Sequence, residues 1–147
     1  MMTVKNNLIH GNAIAVGGRG FLILGASGSG KSGLALRMIA LGAELISDDR
    51  VILERSVDTV LMSAPQTLVG KIEARFVGIL NVPTSKNAIL HHVIDLDSGP
   101  RERLPQLQHC DVLGLRIELI NGRNVPNLAS ILTILGRAER HVLKTLC

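Results

Sequence analysis

The chain has 147 residues, the size of one domain, and at that length roughly 70% of the unfolded surface is buried without help from disulfides or a structural metal. Its 46% hydrophobic and 19% charged content excludes a disordered tail or an extended solvated helix. Two Phe with no Trp or Tyr leave an aliphatic core and argue against platforms that stack bases on aromatic rings.

Net charge is +4, scattered without a Lys/Arg run. That suits phosphate-bearing ligands or an acidic partner better than nucleic acid. Cys110 and Cys147 have no metal-ligand spacing, which fits a reduced, cytoplasmic chain. Residues 1–10 lack the apolar core of a signal peptide, and no run of ~18 apolar residues predicts a membrane span. A single domain over residues 1–147 is expected.

Asn12–Val16 and Phe21–Leu24 read as two short strands joined by the turn Gly17-Gly18-Arg19-Gly20. Lys31 to Leu41 reads as a helix. Leu34, Met38 and Leu41 fall on one face, and Gly42 stands where a glycine ends helices. Glu44–Ser47 returns as a buried strand ending at Asp48-Asp49, and Val51–Glu54 with Thr59–Met62 forms a hairpin. Phe76–Val82 and Ala88–Leu96 are further strands, and Leu113 to Leu119 alternates as a half-buried one. Leu128, Ile131, Leu132 and Leu135 mark a C-terminal helix, with Pro126 near its first turn. One helix followed by strand after strand predicts a mixed α/β fold with a largely antiparallel sheet and few helices, unlike the alternating doubly wound pattern.

The strongest chemical signal is Gly25-Ala26-Ser27-Gly28-Ser29-Gly30-Lys31-Ser32, a complete G-x-x-x-x-G-K-[ST] between an apolar strand and an amphipathic helix. Glycines let the backbone turn its N–H groups onto phosphate oxygens, and the helix dipole adds to the attraction. Lys31 is expected at the β/γ-phosphates and the Ser32 hydroxyl on Mg²⁺. P-loop proteins commonly carry an acidic residue at the end of an apolar strand to hold that ion. Here two carboxylates, Asp48 and Asp49, stand together and point to opposite faces, which predicts different jobs. A kinase acting on a hydroxyl gains from a carboxylate that accepts its proton.

These residues, taken with Leu45-Ile46-Ser47-Asp48-Asp49-Arg50-Val51 and Ile72-Glu73-Ala74-Arg75-Phe76-Val77-Gly78-Ile79-Leu80-Asn81-Val82, resemble the catalytic domain of the HPr kinase/phosphorylase family. The correspondence runs from Ile9-His10-Gly11 to about Leu104. It implies a phosphoenolpyruvate carboxykinase-like P-loop fold and an ATP- and Mg²⁺-dependent serine kinase of an HPr-type phosphocarrier, as in the short proteobacterial forms. The implied roles are ATP binding by the loop and Lys31, Mg²⁺ binding by Ser32 and Glu73, and proton transfer by Asp49 with Asp48 beside it. His10 and Arg103 match the remaining active-site positions. A homo-oligomer, hexameric in the family, is implied as well.

Two departures stand out. Phe76 replaces a usual glycine of the signature, and only Asn121-Gly122-Arg123-Asn124 is left of a loop tied to phosphorolysis, so kinase chemistry is better supported than phosphorylase chemistry. His91-His92 and His109-Cys110 fit no chemical motif and are assigned to structure. Two other functions stay open on the residues alone: a small-molecule kinase or NTPase on the same loop, and an ATP-binding sensor without transfer activity.

Overall fold

The computed structural model describes residues 2–138, so Cys147 lies outside the described residues. Two short strands, β1 (Thr3–Val4) and β2 (Leu8–His10), precede β3 (Asn12–Val16) and β4 (Arg19–Leu24). Helix α1 (Lys31–Ala40) leads to β5 (Glu44–Ser47) and then to the hairpin β6 (Arg50–Arg55) and β7 (Val60–Ser63). A second hairpin, β8 (Lys71–Ala74) and β9 (Gly78–Asn81), is followed by β10 (Asn87–Asp95), β11 (Gln108–Val112), β12 (Leu115–Asn121) and α2 (Leu128–Arg137). No helix among the described residues is long and apolar enough to cross a membrane.

One mixed sheet runs in the order β1-β11-β12-β10-β4-β3-β5, and the pair β8-β9 stands apart from it. Strand β10 is its fork. Asn87–Ile89 pairs antiparallel with β7, which carries β6 and then β2, while His92–Asp95 pairs parallel with β12. Along its other edge β10 runs parallel to β4, with a register shift between Leu90 and His92. The expected antiparallel character holds for the hairpins and for β3 against β4 and β5. The strand entering the glycine-rich loop has its parallel neighbour in β10, so both strands end at the same edge of the sheet.

Both faces of the sheet are covered, which is why all five residues of β3 are buried. Ile14, Val16, Phe21, Ile23 and Ile94 pack beneath Leu34, Ala35 and Met38 of α1 and Leu132 of α2. On the other face Ala13, Ala15, Leu22 and Val93 meet Val51, Leu53, Met62, Cys110 and Val112. Burial of aliphatic surface at about 25 cal/mol per Å² is the main stabilising term here. His92 is buried, stacked on Phe21 with ring centroids 4.8 Å apart, and ion-paired with Glu118 of β12. Its assignment to structure holds.

The structure differs from expectation at four places. Phe76 is not in a strand but in the turn of the β8–β9 hairpin, with φ +69, and the strand starts at Gly78. Leu113 (φ +50) and Gly114 (φ +88) likewise form a turn, closed by the Gly114 N–H on Asp111 Oδ1 at 2.8 Å. Strands β1, β2, β8 and β11 carried no readable alternation. Pro126 stands one residue before the cap Asn127, outside the helix.

Candidate active site

Strand β4 ends at Leu24 and the glycine-rich loop follows at once, closed by a turn in which the Ser29 N–H donates to Ala26 O at 3.0 Å. Gly30 caps α1 with φ +98, a conformation costly for any residue with a Cβ. Among the described residues no side chain caps this end, and the first turn holds no acidic residue. The orphan N–H groups of the first turn are therefore left for an anion. A Cβ placed at Gly28 or Gly30 would meet no atom of the described residues within 4 Å, so among them the space above the loop is open. Lys31 Nζ folds back over it, donating to Gly25 O at 2.8 Å and Ala26 O at 3.0 Å.

The two neighbouring carboxylates separate, through the turn that follows β5 and not through strand alternation, since both lie beyond Ser47. The Asp48 carboxylate turns onto the loop. Its Oδ1 accepts from Ser32 Oγ at 3.0 Å and from Asn12 Nδ2 at 2.6 Å, and its Oδ2 accepts the Glu73 N–H at 3.1 Å. These donors orient the group and leave Oδ2 one further acceptor position. Asp49 faces outward, its side chain 71% exposed, with His10 Nδ1 4.0 Å from its Oδ1. It sits at φ +70 in a tight turn, where the Arg50 N–H reaches Asp48 O at 2.8 Å and the Ser47 hydroxyl donates to Arg50 O. A left-handed non-glycine residue costs about 1–2 kcal/mol, and such strain gathers at functional sites.

One corner of the chain supplies the partners of both carboxylates. His10 ends β2 opposite Arg50, and Asn12 begins β3. Between them the Gly11 N–H donates to Asp49 O at 2.9 Å. His10-Gly11-Asn12 and Asp48-Asp49 thus meet residue against residue. Asn12 was missed in the sequence, where it reads only as the start of an apolar strand. Asp97 was missed too. It follows β10, and its carboxylate accepts the Ala26 N–H at 3.0 and 3.1 Å, bracing the loop from the parallel neighbour of β4.

The remaining expected residues fall unevenly. Glu73 comes to the site through its backbone N–H, and its exposed side chain makes no hydrogen bond or ion pair among the described residues. Ser27 is exposed on the loop. Arg103 lies in the exposed segment between β10 and β11 and makes no hydrogen bond or ion pair among the described residues. For Mg²⁺ the donor types fit: the Ser32 hydroxyl and the exposed Glu73 carboxylate are hard oxygens of the kind that ion takes.

A glycine-rich loop at the end of a central strand, with a carboxylate on its serine, is the arrangement of a P-loop domain of mixed α/β fold. Residues 2–92 match the family model described as HPr Serine kinase C-terminal domain, and the chain belongs to that family. It is 33% identical over 134 residues to an HPr kinase/phosphorylase of Clostridium botulinum (strain Eklund 17B / Type B), covering 80% of this chain and 44% of that protein. With an HPr kinase/phosphorylase of Geobacillus thermodenitrificans (strain NG80-2) the identity is 32% over 150 residues, covering 90% and 48%. The chain thus spans less than half the length of these relatives. The solved structure of the Hpr(Ser) kinase/phosphatase from Coxiella burnetii superposes with a TM-score of 0.78 at 25% identity, covering 90% of this chain and 95% of that one.

Proposed function

We propose that this domain transfers the γ-phosphoryl group of ATP to a serine hydroxyl of an HPr-type phosphocarrier. The observation that carries the reading is the 3.0 Å contact of the P-loop Ser32 with Asp48, which puts a carboxylate beside the open phosphate cradle. The loop N–H groups and Lys31 hold the β/γ-phosphates, and Lys31 leaves Gly25 O and Ala26 O to do so. Ser32 and Glu73 hold Mg²⁺, as the resemblance implies. When bound, that ion neutralises charge on the transferred group.

Sequence resemblance gave proton transfer to Asp49. In our reading Asp48 takes it, because Asp48 alone of the two carboxylates contacts the loop. The free acceptor position on Oδ2 receives the serine proton, and Asn12 and the Glu73 N–H keep the carboxylate aimed. Asp49 and His10 form the outer rim, where the carrier's serine enters. Positioning and charge stabilisation supply most of the rate, since the transition state is loose.

Residues 1–147 act as one catalytic unit in this proposal, supported by a single large sheet that carries both apolar clusters. ATP as phosphoryl donor implies a cytoplasmic location. Phe76, Val77 and Ile79 expose apolar surface on one hairpin, which supports self-association of the family's hexameric kind. Incubation with radiolabelled ATP, Mg²⁺ and HPr-like carriers tests the function: labelled carrier serine is expected. A labelled metabolite or free phosphate alone would favour the small-molecule enzyme, and ATP binding without any product would favour a sensor.

A further inference from the structure

The peptide unit between Gly25 and Ala26 is held at both of its polar ends. Its oxygen, on Gly25, accepts from Lys31 Nζ at 2.8 Å, and its N–H, on Ala26, donates to the Asp97 carboxylate at 3.0 and 3.1 Å. Ammonium, peptide and carboxylate thus form one chain of hydrogen bonds across the start of the glycine-rich loop. We propose that Asp97 is a positioning residue for Lys31, holding the ammonium folded back on the loop so that ATP must displace it. The inference rests on the reading of Lys31 and the loop as the phosphate site, and it adds a regulating residue to that site.

Three observations carry this. First, the charges stand at the right ends. A peptide dipole is negative at its oxygen and positive at its N–H. An ammonium on the oxygen and a carboxylate on the N–H therefore polarise the group in the same sense. Hydrogen bonds linked in this way strengthen one another, and those to ionised groups are the stronger kind.

Second, Asp97 is fixed from behind, and its carboxylate bonds to the loop alone. Its own N–H donates to Asp95 Oδ1 at 2.9 Å, and Asp95 is buried at the end of β10. Its carbonyl accepts from the Arg123 guanidinium at 3.2 Å. Among the described residues no cation pairs with the carboxylate, so its charge acts undiminished on the Ala26 N–H.

Third, the peptide has little room to turn over. A Cβ on Gly25 would lie 3.2 Å from Leu96 Cβ, and the Leu96 N–H donates to Leu24 O at 2.9 Å. The entrance of the loop is packed on the residue before Asp97, which keeps the Ala26 N–H toward that carboxylate. ATP draws Lys31 away from the Gly25 oxygen. The Asp97 charge makes that step costlier and the return of Lys31 after release easier.

Two variants separate the charge from the brace. Asp97→Asn keeps an oxygen for the Ala26 N–H and removes the charge, whereas Asp97→Ala removes both. In the nucleotide-free chain, acetylation of Lys31 by acetic anhydride is read by peptide mass and normalised to the exposed Lys5. It should run about threefold faster or more in Asp97→Asn than in the wild type. ATP affinity, measured by calorimetry, should rise about threefold in the same variant, the scale of an interaction with a partly exposed charge. Asp97→Ala should leave Lys31 as reactive as Asp97→Asn does, but bind ATP less tightly because the loop has lost its brace. A wild-type Lys31 rate or a wild-type ATP affinity in Asp97→Asn would overturn the proposal and leave Asp97 a brace only. If no chain binds ATP, the phosphate-site reading falls, and the Lys31 rates of the free chains still decide whether Asp97 holds the ammonium.

Discussion

The Ser32 hydroxyl and the Asp48 carboxylate meet at 3.0 Å across the gap between α1 and the end of β5. They are sixteen residues apart in sequence. The contact exists because β5 pairs with β3, which pairs with β4, so the end of β5 comes level with the loop that follows β4. Asn12 completes the arrangement from the strand between them.

Lys31 Nζ is held by two carbonyl oxygens of the loop, Gly25 O and Ala26 O. Lys31→Ala should weaken ATP binding by about tenfold to a hundredfold, the worth of a charge-assisted hydrogen bond or two, with thermal stability nearly unchanged. Calorimetric titration reads both, and wild-type ATP affinity in the variant would remove the phosphate cradle.

Gly20 faces β10 and β7 at the fork of the sheet. A Cβ there would lie 2.6 Å from Ile89 O and 2.6 Å from the Met62 methyl. Backbone cannot yield as a flexible side chain does, so Gly20→Ala should destabilise the domain by about 1–3 kcal/mol. Urea denaturation measures this, and an unchanged midpoint would mean that the strands separate more easily than their packing implies.

Phe76 is fully exposed and holds φ +69. It buries nothing and carries left-handed strain. Phe76→Gly should therefore raise stability, by up to about 1 kcal/mol, whereas Phe76→Val should lower it. Loss of stability in the glycine variant would show that the side chain makes contacts outside a single copy of the chain.

Much of this was readable along the chain. The loop, α1, β5 and the β6–β7 hairpin show their periods and caps plainly, because each buries a regular set of aliphatic residues. Strands β1, β2 and β11 are short and partly exposed, so alternation had little to report. The β8–β9 hairpin hid its turn because Phe76 occupies a place where glycine would announce one. Asn12 and Asp97 could not be foreseen, since each acts through partners brought close only by strand order. The split between Asp48 and Asp49 was expected from strand alternation, yet the turn after β5 produces it. Which carboxylate faced the loop depended on the turn at Asp49.

Cys110 is buried between Val93 and Val112 on the face away from the helices. Burial first, then the charges of Asp111 and Asp95, push its thiol up from an ordinary 9.0 to about 11. The folded state therefore favours the protonated thiol. Its contribution to stability is complete below pH 9 and is lost as pH rises from 9 towards 11. Alkylation of Cys110 itself, read by peptide mass after iodoacetamide at pH 8, should be slow in the native chain and fast in urea, and Cys110→Ala should flatten the alkaline fall in stability. Rapid native alkylation at Cys110 would contradict this burial.

Phosphoryl transfer by Asp48→Asn and Asp49→Asn, measured with labelled ATP and an HPr-type carrier alongside ATP affinity, tests the central claim most directly. Asp48→Asn should cut the transfer rate by about 100-fold or more while ATP affinity stays within about threefold, and Asp49→Asn should retain most of the rate. Near wild-type transfer by Asp48→Asn, with Asp49→Asn inactive, would contradict the account.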